Sequence, residues 1–123
     1  MLALFGDDAV KKAKRAGKMI LERVKSEGFS LERTHIECLG NLDVVPHVLK
    51  QKIELKECVL RVAVADHNYK AVECFTKEIA PLITSGPQGI TGYMSGRPPI
   101  REIFSFWPCL IDVKKVKPKI EVL

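Results

Sequence analysis

The sequence predicts an α+β fold of two layers, two main helices packed on one small, mainly antiparallel sheet. Three observations carry that expectation. Residues 7 to 27 repeat apolar side chains at helical spacing. The stretch "ECVLRVAVAD" at 57–66 alternates as a strand. A second helical pattern follows it directly, so helices and strands share one small core. A ferredoxin-like arrangement is the closest common plan. The length of 123 residues suits a single domain, 1–123, that buries roughly two thirds of its unfolded surface.

The first helix places Ala9, Val10, Ala13, Ala16, Gly17, Ile20, Leu21 and Val24 on one stripe. Asp7 or Asp8 is positioned to cap its start, and Gly28 stands where a left-handed cap ends a helix. "RTHIECLG" then alternates as a short strand closed by Gly40 and Asn41. "NLDVVPHVLK" reads either as one helical turn begun by Pro46 or as a loop. In the next strand Cys58, Leu60, Val62 and Val64 form an apolar face that points to the core. Asp66 or Asn68 caps the second helix, marked by Ala71, Val72, Phe75, Ile79 and Leu82, and Pro81 predicts a kink or an early stop. A glycine-rich loop, "TSGPQGITGYMSGRPP" at 84–99, leads to "PIREIFSFWPCLIDVKKV", which reads as β-rich with a break at Pro108.

Composition bounds the function. Charged residues make up 28% and hydrophobic residues 46%, which is globular rather than disordered. The longest apolar runs are far shorter than the about 20 residues of a membrane-spanning helix, so no membrane association is expected. Cys38, Cys58, Cys74 and Cys109 form no Cys-x-x-Cys pair and no signal peptide precedes them, which reads as reduced cytoplasmic thiols. The net charge of +5 divides between Lys11, Lys12, Lys14, Arg15 and Lys18 in the first helix and Lys114, Lys115, Lys117 and Lys119 in the tail. A solvated helix face and an edge strand guarded by lysines explain that division better than a nucleic-acid surface.

The glycine loop raises the question of a ligand. Gly86, Gly89, Gly92 and Gly96 match neither the dinucleotide fingerprint nor the Walker pattern. The loop also leaves a helix C-terminus, whose dipole repels anions, whereas phosphate loops lead into a helix N-terminus. The residues at stake are Gly86, Gly89, Gly92, Tyr93, Gly96, Arg97 and Arg101, which serve either ligand or partner binding or tight turns alone. So long a connection inside a small domain points to function or to a covering partner. His35 and Cys38 lie at an odd separation on a strand and so face opposite ways; no metal and no cofactor are expected. His47 stands alone. Asp66 and His67 with Ser85 or Ser95 lack the elbow motif of a hydrolase. Trp107, the only tryptophan, reads as a core or interface anchor.

The ordered set of Thr84 or Ser85, Gly86, Pro87, Gly89, Gly92, Gly96, Arg97, Pro98, Trp107 and Pro108, preceded by "ECVLRVAVADHNYKAVECFTKEIAPL", resembles the C-terminal part of the acyclic terpene utilisation family. Members of that family look several times longer and carry a large N-terminal α/β region. The resemblance therefore implies a small subunit or stand-alone C-terminal domain that completes a separately encoded larger α/β chain or a homo-oligomer. A link to branched terpenoid acyl compounds would follow by analogy only. Two alternatives stand beside it: a small anion-binding or acyl-CoA-binding domain or enzyme using Arg97 and Arg101, and a basic nucleic-acid module, which the charge pattern disfavours. Whether the chain is an enzyme, and on what substrate, is not written in these motifs.

Overall fold

The apolar stripe of residues 9–24 folds as expected into a helix, and what it covers is a sheet of four strands. The computed structural model describes residues 1–46, 54–92 and 96–121. In chain order these form β1 (Leu2–Phe5), α1 (Ala9–Ser26), β2 (Arg33–Leu39), β3 (Glu57–Ala65), α2 (Tyr69–Lys77), α3 (Ala80–Ser85) and β4 (Ile90–Gly92), followed by a 3₁₀ turn at Val113–Lys115. The sheet order is β2-β3-β1-β4 with every neighbouring pair antiparallel. That order with those connections is the ferredoxin-like plan, two layers with the helices on one face.

β1 was not foreseen from the sequence. Its four residues are too few to show a period, yet it lies between β3 and β4, with Leu2 opposite Leu60 and Gly92. Leu2 and Leu4 are buried while Phe5 on the other face is exposed, the alternation a half-covered sheet requires. β2 and β3 form the longest ladder, from Arg33 opposite Ala65 to Leu39 opposite Val59. Cys58 and Leu60 face the helices as expected, with Cys38 beside them from β2.

The helix ends follow local chemistry. Asp8 occupies the N-cap of α1 in a left-handed conformation, but its side chain pairs with Lys11 at 2.8 Å instead of bonding to the helix backbone. At the far end Gly28, at a φ of 86°, makes the left-handed stop. The Gly28 amide donates to the Lys25 carbonyl and the Phe29 amide to the Val24 carbonyl, a Schellman motif. Asn68 caps α2, its side chain accepting from the Lys70 amide at 3.1 Å. Pro81 does not kink that helix. The helix ends at Lys77, and Pro81 falls in the first turn of α3, where its missing N–H leaves no bond unmade.

The C-terminal stretch corrects the sequence reading. Residues 99–116 form no strand, and the lysine-guarded edge strand does not exist: Val113–Lys115 is an isolated 3₁₀ turn. The sheet takes its fourth strand from inside the glycine loop instead, at Ile90–Gly92. Alternating apolar residues become a strand only where an edge accepts them, and Pro98, Pro99, Pro108 and Pro118 remove the amides such pairing needs. The stretch "NLDVVPHVLK" runs as turns through Pro46. Its remainder, His47 included, lies outside the described residues.

Small residues set the distance between the layers. Ala9, Ala13, Ala16 and Gly17 let α1 settle onto Leu2, Leu4 and Leu60. A Cβ at Gly17 would come to 2.9 Å from Ile36 Cγ2 and 3.3 Å from Leu60 Cδ1. Gly17→Val is therefore expected to overpack this contact and lower stability by about 1–3 kcal/mol. The midpoint of urea unfolding followed by circular dichroism measures the loss, and an unchanged midpoint would contradict the packing.

Candidate functional site

The residues singled out in the glycine loop divide into two groups. Gly86 and Gly89 belong to the scaffold. Gly86 ends α3, its amide donating to the Leu82 carbonyl at 2.9 Å, and a Cβ there would fall 2.1 Å from that oxygen. It is not left-handed, since its φ is −82°. Gly89, at φ 87° in the turn before β4, lies close against β1: the Phe5 amide donates to its carbonyl at 2.8 Å, and a Cβ would meet the Phe5 oxygen at 2.2 Å. Gly92 is the last residue of β4, opposite Leu2. Tyr93 lies outside the described residues. Gly96, at φ 78°, and the exposed Arg97 and Arg101 begin a different part of the chain.

From Arg97 to Asp112 the chain runs without turn or bend, and every described residue from Gly96 onward is exposed except the half-buried Ile100. Among the described residues this arm, Arg97 through Ile120, carries nine large exposed apolar side chains, among them Phe104, Phe106 (91% exposed), Trp107 (85% exposed) and Leu110. Sequence reading gave Trp107 to a core or an interface. It is not in the core of this chain.

The root of the arm forms one wall of a groove of about 910 Å³. The opposite wall is the end of β3 and the start of α2, with Val64, Val72 and Phe75 as its apolar lining. Glu32, Arg33, Asp66, His67, Arg101 and Glu102 stand among them; Arg97 does not. Asp66 is held by its surroundings: Oδ1 accepts from the Asn68 amide at 2.6 Å and Oδ2 from the Glu32 amide at 2.7 Å. These two backbone donors hold its carboxyl below the ordinary 3.8. His67 is exposed and lies 4.0 Å from Glu32, so Asp66 does not orient it as a hydrolase triad would require.

A second cluster escaped the sequence reading. On the sheet face away from the helices, Glu37 is only 3% exposed, shielded by Arg61, whose Nε–H donates to Oε1, and by His35, whose Nε2 lies 3.6 Å from Oε2. The Arg61 hydrogen bond, with His35 adding to it, holds the Glu37 carboxyl below its ordinary value against the opposing effect of desolvation. His35 and Glu37 share a face by their spacing of two, but the pairing of Glu37 with Arg61 follows only from the β2–β3 register. His35 is exposed and Cys38 buried, so the two do face opposite ways. All four cysteines are free, and burial pushes Cys38 up to about 11, which keeps it a protonated, unreactive thiol at neutral pH. Among the described residues no group of three or more His, Cys, Asp or Glu could hold a metal ion, and no helix is long and apolar enough to cross a membrane.

The family model for acyclic terpene utilisation family protein AtuA matches residues 1–122. The chain belongs to the AtuA family. The resemblance carried by the Gly-Pro-x-Gly loop, the Gly-Arg-Pro and the Trp-Pro pair therefore holds, and it extends over β1 as well, ahead of the motifs that suggested it. No curated protein and no solved structure matches the chain. Within this AtuA-family chain the motif residues serve unlike ends: Gly86 ends α3 and Gly89 meets β1, while Arg97, Trp107 and Pro108 belong to the uncovered arm.

The Asp66 hydrogen bonds fix the sign of a pH effect. A carboxyl lowered in the folded state adds stability that is complete above its unfolded value of about 3.9 and is lost as pH falls through the lower folded value. Asp66→Ala is expected to lower the Tm near pH 7 and to converge on the wild-type Tm as pH falls through the lowered folded value of Asp66. Thermal unfolding across that range measures it, and a pH-independent difference would contradict the assignment.

Proposed function

We propose that this AtuA-family chain works as an assembly subunit, completing a separately encoded larger α/β chain or a homo-oligomer. The joint comprises the uncovered arm together with the stretch around Gly92, Tyr93, Gly96, Arg97 and Arg101. The observation that carries this reading is the arm: nine large apolar side chains in water far exceed the scattered apolar residues normal on a monomer's surface. A small domain that left them bare would aggregate or bind. Tagged full-length chain, purified under native conditions from its own cells and weighed by light scattering, is expected to elute as a defined complex larger than 13.8 kDa. A monodisperse monomer with no companion chain would contradict the reading.

A second reading, capture of an anionic group, is supported by one observation: Arg33 and Arg101 both line the groove, beside an apolar floor. On that reading Arg101→Ala lowers affinity for a probe such as a medium-chain carboxylate by at least about 10-fold, while Arg97→Ala leaves it unchanged. Isothermal titration calorimetry distinguishes the two, and equal affinity in both variants would remove the anion site.

A further inference from the structure

Beyond residues 98–104 the arm has no place on its own body, and the reason lies at its root. Pro98 and Pro99 fix their own φ angles and push Arg97 toward an extended conformation, and the chain forms no turn there. Beyond them it runs without turn or bend to Asp112. At about 3.3 Å per residue, Pro99 to Asp112 reaches as far as about 43 Å, whereas a body of this size has a radius of gyration of only about 13 Å. The apolar side chains are thus carried beyond the surface of the chain that bears them.

We propose that the arm of each chain lies along the groove of a second copy, in a two-fold exchange that makes the protein a homodimer. This rests on the assembly reading above and commits it to one occupant. Three observations support the choice. Each copy carries one apolar arm and one groove floored by Val64, Val72 and Phe75, with Tyr69 at the rim, so reciprocal exchange leaves neither uncovered. The area is sufficient. Phe106 and Trp107, beyond the root, each bring roughly 150–250 Å², so two arms contribute about 600–1,000 Å² from these aromatics alone and cover a similar area on the bodies they meet. That total reaches the range of about 1,200–2,000 Å² typical of stable interfaces. Finally, the groove already holds the root of its own arm, residues 98–104, along one wall, so an incoming arm would extend an apolar contact that exists. Aromatic anchors on an apolar floor rimmed by charged residues, here Glu32, Arg33, Asp66 and Glu102, are the residues that dominate such interfaces.

The test uses the full chain. Light scattering and native mass spectrometry are expected to give twice 13.8 kDa. The emission of Trp107, the only tryptophan, is expected to shift to the blue as concentration rises through the dimer range. Phe106→Glu with Trp107→Glu changes residues outside the folded body. It should leave the circular dichroism spectrum and Tm of the dilute protein intact while raising the dimer dissociation constant by at least about 30-fold. Tyr69→Glu, at an exposed rim position, should weaken the dimer from the groove side. Mixing the arm variant with the groove variant should restore part of the dimer, because one intact arm then meets one intact groove. A wild-type monomer at all concentrations would overturn the exchange, and capture of a larger chain by that monomer would keep the assembly reading while removing the second copy as occupant. A dimer untouched by the arm variant would overturn the exchange and leave assembly standing through another surface.

Discussion

The contact on which the rest of the structure depends is the approach of the Gly89 backbone to Phe5, a 2.8 Å hydrogen bond at a point where no side chain fits. It brings the chain leaving α3 against β1 and starts β4 along it. β1 is thereby enclosed by neighbours on both sides, and Leu2 and Leu4 are fixed beneath α1. The helix has small residues where it comes closest to the sheet, so the two layers lock at one spacing. β4 takes that edge of the sheet, and the apolar stretch after Arg97 lies outside it. A single backbone approach thus links the closed body to the open arm.

How much of this was legible in the sequence depends on whether a signal is local. α1, α2 and the buried face of β3 announce themselves by period, and Gly28 and Asn68 by the hydrogen bonds that helix ends require. β1 and β4 do not, because strands of three or four residues have no period to show and exist through pairing with distant partners. The tail misled for the opposite reason. "REIFSFWPCLI" has the composition of a strand, but composition measures fitness for a pleated surface and not the presence of one. The site was legible to the same degree. Arg97 and Trp107 could be named from their motif, and Trp107 as an anchor from its chemistry, while the groove and the Glu37–Arg61 pair needed the register of β2 on β3.

The two halves of the chain therefore face different physical problems. The body buries its apolar residues internally, with Leu4, Ile20 and Leu60 almost wholly out of water. The arm holds residues of the same chemistry in water, where leaving each uncovered forgoes about 1.5–3 kcal/mol of burial. The AtuA-family match runs across both halves, so body and arm are matched as one unit. The structural consequence is a packed body joined to an exposed apolar arm.

Amide hydrogen exchange across a concentration series tests that account most directly. The account predicts that Phe5, Leu60 and their neighbours in the β1–β3 ladder exchange slowly at every concentration. Amides between Ile103 and Ile111 should exchange freely in dilute protein and slow only as chains associate. Slow exchange in 103–111 at the lowest concentrations, independent of association, would mean that the tail is a strand of its own sheet, and would contradict the account at its centre.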